Sequence, residues 1–371
     1  MSDAAATLKS LPQSGGFNNS PLAQWVKANL FPNWWSTVIT LVLTYFILKF
    51  LFGALSWSLF NAVWSIEGTD TEVCRELKGI GACWALIAEK HRFILFGTYP
   101  FQEHWRPALV IVVFLVLYGL STVRALWNYW LGVVWAAGLL SIGILMWGGV
   151  FGLRFVEQER WGGLPITLML ATFGIALAFP LGILLALGRR SDMPAIKAIC
   201  VAYIELIRGV PLISLLFMAS VMLPLFLPEG LTIDKLLRAQ IAIILFAAAY
   251  LAEVVRGGLQ AIPKGQYEAA DALGLSYWKK TGFIVLPQAL KIVIPPLVNT
   301  FIGLFKDTSL VLIIGIYDLL NAAKTSTIEP KWQGFSIEAY VFVSIIYFVF
   351  CFAMSKYSQK IEAELSHTHK R

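Results

Sequence analysis

The sequence predicts an all-α integral membrane protein with about eight transmembrane helices. Of its 371 residues, 58% are hydrophobic and only 14% are charged, and the mean hydropathy is +0.72. A soluble domain carries about a quarter charged residues, so this chain lacks the polar surface that a globular protein needs in water. Several uncharged runs approach or exceed the roughly 20 residues that cross a bilayer as a helix. A soluble enzyme and a nucleic-acid-binding protein are therefore excluded.

The first span is predicted at about residues 36–64. Between Lys27 and Glu67 the chain carries a single charge, Lys49, and tryptophans stand toward both ends of the run, as is typical of membrane interfaces. The run is too long and too far from the first residue for a cleaved signal peptide. Lys49 has no neutralising partner on its own helix, so a carboxylate on another helix, a lipid headgroup and snorkelling toward the interface all remain open.

The remaining spans follow from the uncharged runs and from the charges that separate them. A polar stretch, residues 65–106, precedes the second span, and a tight turn around Arg124 separates the second span from the third. A charged stretch, residues 154–160, precedes the fourth span, and the pair Lys306 and Asp307 closes the seventh. The second to eighth spans are predicted at residues 107–123, 125–153, 161–188, 209–228, the run that ends before 253, 287–307 and 339–355.

The charges of the loops predict the orientation in the membrane. With the N-terminus inside, the excess of Lys and Arg over Asp and Glu is +8 on the inner side and −1 on the outer side, as the positive-inside rule requires. Both termini are therefore expected in the cytoplasm, and the net charge of +7 is an orientation signal. The inner segments are 1–36, 121–126, 187–209, 253–293 and 355–371, and the outer ones are 65–106, 151–163, 228–238 and 321–338.

The inner loop at about residues 253–287 carries the densest pattern in the chain. Residues 266–273 have helical propensity, Gly274 is suited to stop that helix, and Ser276 can cap the next one. Small residues let another protein approach the helix backbone, and carboxylates beside them offer acceptors: these residues are Ala269, Ala270, Ala272, Glu268 and Asp271. From the residues alone, an amphipathic connector at the membrane interface is the favoured interpretation of this loop.

The spacing in this loop resembles the EAA loop of binding-protein-dependent ABC transporter permeases. The pattern is Glu-Ala-Ala, three residues, Gly, nine residues and Ile-x-Leu-Pro, and it begins at Glu268. In that family the loop forms a coupling helix that sits in a groove of an ATPase subunit. The resemblance therefore implies ATP and Mg in a partner ATPase and no cofactor in this chain. The ATPase-coupling residues that it implies are Glu268, Ala269, Ala270, Asp271, Ala272, Gly274, Leu286 and Pro287.

Further motifs are similar to those of permeases for polar amino acids, the histidine, glutamine and arginine group. The similar segments are residues 203–212, 250–258 and 302–310. The resemblance covers about residues 160–371, which contain five of the predicted spans, and implies a type I ABC importer permease fold there. It also implies a second homologous permease or a copy of this chain, two cytoplasmic ATPase subunits and a periplasmic amino-acid-binding protein as partners, in a bacterial inner membrane.

The N-terminal extension resembles that of one particular group of amino-acid permeases. Its three extra spans and the outer sequence Gly81-Ala-Cys83-Trp84-Ala are similar to general L-amino-acid permeases of the AapM and BztC kind. The chain is thus predicted to comprise a cytoplasmic segment at residues 1–35, the extension at 36–160 with a periplasmic loop, and the permease domain at 161–371.

Five polar residues of the seventh span are candidates for the substrate pathway. Lys306 and Asp307 interrupt an apolar run, and an ionisable pair at membrane depth is a pathway hypothesis by default. Asn299, Thr308 and Ser309 add polar atoms that an amino-acid zwitterion could use. The prolines at 295 and 296 would break the helix and free carbonyl groups. Alternatively, Lys306 and Asp307 pair with each other, or snorkel at the outer interface and only end the span.

Four charges at the inner ends of the fifth and sixth spans form a candidate inner gate. Glu205 and Arg208, and likewise Glu253 and Arg256, are three residues apart on a helix and can satisfy one another. The simpler interpretation is two local ion pairs. The functional interpretation is a gate whose ion pairs rearrange when the inner cavity opens.

The remaining reactive residues restrict the chemistry. Cys74 and Cys83 lie in the outer loop, where an oxidising compartment favours a disulfide, and free thiols are the alternative. Cys200 and Cys351 fall in or beside spans and are interpreted as small apolar residues. The chain has no Gly-Lys dipeptide and hence no phosphate-binding loop of the Walker A type, and its four histidines have no metal-ligand spacing. It is predicted to be neither an ATPase nor a metalloenzyme.

These observations predict the membrane permease subunit of an ABC importer for L-amino acids of broad and polar range. The alternative is a secondary amino-acid transporter driven by an ion gradient, which usually carries an acidic residue deep in a span. Here Asp307 is the only such carboxylate, and it neighbours a lysine. A structural membrane scaffold would not need the EAA spacing.

Overall fold

The computed structural model describes residues 21–66, 71–228 and 230–368 of the chain. These residues form helices and turns, joined by isolated bridges of Val63 with Cys83 and of Gly163 with Asp318. Seven of their helices are long and apolar enough to cross a membrane, or eight if one bent helix pair is a single span. The predicted all-α membrane architecture is therefore confirmed. The chain divides into two compact units, Met1–Ala85 and Leu86–Arg371.

The first unit is built on the first membrane span. Asn33 begins the spanning helix, since its side chain accepts a hydrogen bond from the Ser36 N–H at 2.9 Å. The helix ends at Phe60, earlier than predicted, and the backbone N–H of Val63 then donates to the Ala82 carbonyl at 2.8 Å. Lys49 forms no ion pair within the described residues. The helices are α1 (Pro21–Leu30), α2 (Trp34–Leu55, continued by a π-helical turn Ser56–Phe60) and α3 (Glu72–Glu76).

The second unit begins with the rest of the N-terminal extension. Arg106, which is fully buried, donates from Nε to the Leu145 carbonyl at 2.6 Å and from Nη1 to the Arg154 carbonyl at 2.8 Å. Carbonyl groups at the end of a helix have no partner within the helix, so this arginine holds the end of the third span against the start of the second. The helices are α4 (Ala85–Phe96), α5 (Trp105–Ser121) and α6 (Tyr129–Trp147).

The fifth span departs from its prediction at residues 209–228. The chain already forms helix before residue 209, bends by 100° and then continues as a second helix to residue 226. Pro211 stands directly before the second helix. Proline has no N–H group to donate and disfavours helical backbone angles in the residue before it, so the first helix ends ahead of Pro211. The first helix carries charged residues, Glu205 among them, and was therefore predicted to be part of an inner loop. The helices are α7 (Gly163–Arg189), α8 (Pro194–Arg208) and α9 (Leu212–Phe217, continued by π and 3₁₀ turns to Phe226).

Two long parallel helices, α7 and α10 (Lys235–Ala261), form the core of the permease domain. A methyl group added at Gly182 of α7 would lie 2.8 Å from the Leu251 Cβ of α10, and the facing residues of α10 include Ala248 and Ala252. Small residues let membrane helices approach closely enough for extensive van der Waals contact. The predicted fourth and sixth spans are these two helices.

The seventh span also differs from its prediction. The helix is interrupted at Val293 (φ −99°, ψ 10°), and the prolines at 295 and 296 lie in the first turn of the next helix. The first turn of a helix tolerates proline because its N–H groups have no partner there, so the prolines start the span rather than break it. The span then runs to Ile314, past Lys306. The helices are α11 (Lys264–Ala272), α12 (Tyr277–Lys280), α13 (Leu286–Ile292), α14 (Ile294–Asp307, continued as a 3₁₀ helix to Ile314), α15 (Leu319–Ser326) and α16 (Ser336–Thr368).

Candidate functional sites

The EAA loop forms a short helix, α11, followed by a glycine stop. Gly274 has φ +67°, and the Leu275 N–H reaches back to the Ala270 carbonyl at 3.2 Å. This is the geometry of a helix C-terminus that needs a left-handed residue, which glycine adopts without steric cost. The predicted helix and its stop at Gly274 correspond to this geometry. Ser276 stands at the N-cap of α12, but its side chain makes no capping hydrogen bond, so that prediction was wrong.

The predicted coupling residues do not share one environment. Glu268, Ala269 and Ala272 are exposed, whereas Ala270 is buried at 1% exposure. Asp271 is engaged within the loop, because the Lys280 ammonium lies 2.6 Å from its carboxylate. Leu286 is half-buried and Pro287 exposed, and both stand in the first turn of α13. The exposed face of α11 is therefore available to another protein, while its opposite face packs on this chain.

Sequence reasoning missed three large apolar side chains beside this face. Leu273, Trp278 and Phe283 are 75%, 70% and 80% exposed. They lie in the segment that the charge pattern places on the inner side, and exposed apolar patches of this kind mark protein or membrane contacts. Their signal in the sequence was weak, since single apolar residues in a loop are ordinary.

The inner charges form one network across three helices. Glu253 of α10 lies 3.0 Å from Arg189, 3.6 Å from Arg208 and 2.9 Å from Arg256. The predicted local pair of Glu253 and Arg256 is present. Glu205 has a different partner from the one predicted, because it lies 2.8 Å from Arg189 at the end of α7.

Arg189 is thus a member of the network that the sequence did not indicate. It follows a long apolar helix, where a terminal arginine is commonly an interfacial anchor. The network holds three guanidinium groups and two carboxylates, and its central carboxylate, Glu253, is only 14% exposed. A partly buried carboxylate that contacts three arginines depends on the relative positions of α7, α8 and α10, so movement of any of these helices would change its ion pairs.

The candidate pathway residues of α14 separate into two groups. Asn299 and Lys306 are seven residues apart, share one helix face and are both exposed. Gly303 between them leaves open space where a side chain would stand. Thr308 is fully buried and donates to the Phe305 carbonyl at 2.8 Å, and Ser309 donates to the Lys306 carbonyl at 2.7 Å. The two hydroxyl groups therefore bond to their own helix, and the open polar face consists of Asn299 and Lys306.

The charged pair of the seventh span does not form an internal ion pair. Asp307 is half-buried, and no ion pair within 4.0 Å joins it to Lys306 in the described part of the chain. Mutual neutralisation, one of the alternatives considered from the sequence, is therefore not what the structure shows.

The outer loop of the first unit is closed by a disulfide. The Cys74 and Cys83 sulfur atoms are 2.00 Å apart and the two Cα atoms 5.6 Å apart. The Trp84 indole N–H donates to the Ser58 carbonyl at 2.7 Å, which holds the loop against the end of the first span. Cys200 and Cys351 are free thiols of intermediate exposure.

Seven or eight apolar helices in the described residues, an exposed short helix with the EAA spacing and an ion-pair network at the helix ends are the features of a transporter membrane subunit. The family described as binding-protein-dependent transport system inner membrane component matches residues 178–363. The chain belongs to this family of ABC importer permeases. It is therefore a translocation subunit rather than an enzyme, and the alternative of an ion-driven secondary transporter is wrong.

Two relatives align with nearly the whole chain, including its N-terminal extension. The chain is 48% identical to the inner membrane amino-acid ABC transporter permease protein YhdY of Escherichia coli (strain K12), over 95% of each chain. It is 38% identical to the glutamate/glutamine/aspartate/asparagine transport system permease protein BztC of Rhodobacter capsulatus, over 94% of each chain. The resemblance to permeases of the BztC kind is confirmed. A solved amino acid ABC transporter with histidines is 32% identical over 54% of this chain and 92% of that one, with a TM-score of 0.49.

Proposed function

We propose that this chain translocates L-amino acids across the bacterial inner membrane as one permease subunit of an ATP-driven importer. The observation that carries the proposal is the 48% identity to an amino-acid ABC transporter permease over 95% of both chains. A relative that aligns through the extension as well as the permease domain supports a common cargo class. The second long relative is named for acidic amino acids and their amides, which supports a polar and broad range.

Two cytoplasmic ATPase subunits, which hold ATP and Mg, would dock on the exposed face of α11. The small residues Ala269 and Ala272 and the apolar side chains Leu273 and Trp278 support this assignment, because they offer a close-fitting contact beside the charge of Glu268. A second homologous permease or a copy of this chain completes the channel, and a periplasmic amino-acid-binding protein delivers the cargo. Both termini lie in the cytoplasm, as the loop charges predict.

The open polar face of α14 would receive the cargo inside the membrane. An amino-acid zwitterion carries a carboxylate, which the Lys306 ammonium complements, and Asn299 supplies amide donors and an acceptor about two helical turns away. The network of Glu205, Arg208, Glu253 and Arg256, with Arg189, would then act as the inner gate, since its ion pairs span three helices.

The proposal is tested by reconstitution of the purified complex into vesicles. Uptake of L-amino acids is expected to require ATP and the ATPase subunits, to persist when uncouplers abolish ion gradients, and to stop when the binding protein is omitted. Co-purification with tagged chain identifies the bound subunits by mass spectrometry. Uptake that follows an ion gradient without ATP would overturn the proposal.

A further inference from the structure

A tyrosine on the packed side of the coupling helix joins two other elements. The Tyr267 hydroxyl donates to the Leu259 carbonyl near the end of α10 at 3.0 Å and accepts a hydrogen bond from Arg190 Nη1 at 3.1 Å. The Arg190 guanidinium also lies over the ring, 5.7 Å from its centroid. One side chain of α11 is therefore bonded at the same time to α10 and to the residue that follows α7.

The residue before Arg190 belongs to the inner charge network. Arg189 pairs with Glu205 at 2.8 Å and with Glu253 at 3.0 Å. Two consecutive arginines thus bind different partners: Arg190 holds the coupling helix, and Arg189 holds the carboxylates of α8 and α10. Because one planar peptide unit joins them, a shift of the Arg190 backbone also shifts the Arg189 backbone.

The helices around these arginines are closely packed. A methyl group added at Gly188 would lie 2.4 Å from the Cys200 sulfur of α8, so α7 and α8 are in close contact one residue before Arg189. Closely packed helices move as units rather than deform. A displacement of the end of α7 is therefore expected to displace the network residues as well, instead of changing only the conformation of the loop.

We propose that Tyr267 and Arg190 are positioning residues that transmit movement of the coupling helix to the inner charge network through Arg189. The inference rests on the proposed function, since it requires an ATPase that moves α11. In this arrangement a shift of α11 draws Arg190 with it, and Arg189 leaves or approaches Glu205 and Glu253. The ion pairs of the network then differ between the two positions of the coupling helix, which couples ATP hydrolysis to the opening of the gate.

A purely structural role for Tyr267 has a different consequence. If it only anchors α11, its loss weakens docking of the ATPase, so ATP hydrolysis and transport decrease together. Loss of a transmitting contact leaves the ATPase docked, so hydrolysis continues while fewer substrate molecules cross. The ratio of amino acid transported to ATP hydrolysed distinguishes the two.

The experiment compares Tyr267→Phe and Arg190→Gln with the unmodified chain in the complete reconstituted complex. Tyr267→Phe retains the ring and removes both hydrogen bonds of the hydroxyl. We expect unchanged amounts of co-purified ATPase and a transport-to-hydrolysis ratio lowered at least threefold in each variant. The double variant should be no more than slightly worse than the poorer single variant, because both remove the same contact.

Two substitutions elsewhere on the chain are matched controls. Tyr129→Phe changes an exposed tyrosine at the start of α6, and Arg124→Gln removes an ion pair with Glu364 at 3.0 Å, at the turn between α5 and α6. Both should leave the ratio unchanged. An unaltered ratio in Tyr267→Phe and Arg190→Gln, or equal losses of hydrolysis and transport, would overturn the inference while the proposed function stands. Absence of ATP-dependent uptake by the unmodified complex would overturn the proposed function itself.

Discussion

The Arg189 guanidinium lies 3.0 Å from the Glu253 carboxylate, although the two residues belong to different helices and are 64 positions apart in the chain. Their pairing joins the C-terminal ends of α7 and α10, the two helices that form the core of the permease domain. The carboxylate contacts two further arginines at 3.6 and 2.9 Å, so it holds together charges that would otherwise repel one another.

This pairing predicts non-additive effects of substitution at the two positions. Glu253→Gln leaves three guanidinium groups with one carboxylate, and Arg189→Gln removes the bridge between Glu205 and Glu253. Each single variant should unfold at lower temperature, and the double variant should differ from the sum by about 0.5–3 kcal/mol. Thermal unfolding of the four proteins in one detergent measures the difference, and strictly additive effects would show that the two groups do not interact.

The open polar face of α14 predicts a specific transport defect. Lys306→Met removes the cation proposed to meet the substrate carboxylate, so uptake should decrease at least tenfold while binding of the ATPase subunits is retained. Lys324→Met is the matched control, since Lys324 is an exposed lysine of α15 in a segment predicted to lie on the outer side. Uptake measured in vesicles tests this prediction. Equal activity of the Lys306→Met and Lys324→Met variants would contradict the assignment, and Asp307→Asn tests the neighbouring carboxylate in the same assay.

A buried carboxylate outside the spans predicts a pH dependence of stability. Burial raises the pKa of Asp318 from 3.8 to about 7, although hydrogen bonds from the Asn321 and Leu320 N–H groups oppose the rise. Between these values the unfolded chain releases a proton that the folded chain retains, so stability falls as pH rises, by up to about 1.4 kcal/mol per pH unit. The Tyr347 hydroxyl, 3.5 Å away, also faces this group.

Asp318→Asn removes this titration and can still accept the N–H groups at the start of α15. The unmodified protein should therefore lose more thermal stability between pH 5 and pH 7 than the variant loses. Groups other than Asp318 titrate in both proteins and cancel in the comparison. Identical pH profiles would mean that Asp318 titrates with its ordinary pKa.

The buried arginine of the extension predicts a large stability effect. Replacement of Arg106 by Met leaves the Leu145 and Arg154 carbonyls without their donor in a site that is closed to water, at about 1–3 kcal/mol for each unsatisfied group. The melting temperature should fall by several degrees. Arg160→Met, at an exposed position, is the control and should have little effect.

The outer disulfide predicts protection from alkylation. In a background with Cys200→Ala and Cys351→Ala, a membrane-impermeant maleimide should label Cys74 and Cys83 only after reduction. Labelling of intact cells without reductant would show free thiols and contradict the pairing.

The sequence was sufficient for features that depend on local patterns. Uncharged runs of about 20 residues predicted the spans, because a helix in lipid must satisfy its own backbone and present apolar side chains. The helix of the EAA loop and its stop were predictable for a similar reason, since the left-handed residue at Gly274 is a local requirement. The fifth and seventh spans were misplaced where charges and prolines lie inside helical structure, so that the apolar run no longer coincides with the helix.

What only the tertiary structure decided is the partner of each polar group. No pattern in the sequence relates Arg189 to Glu253, Arg190 to Tyr267 or Arg106 to the end of α6. These contacts depend on which helices pack together and at what height, and that is determined by small residues such as Gly182 and Gly188, which allow close approach at particular points. The sequence by itself therefore determined the class of membrane protein, its family and the short helix of the EAA loop. Packing decided how that helix is connected to the charges at the inner side, because side-chain pairing between distant segments exists only after the helices have docked.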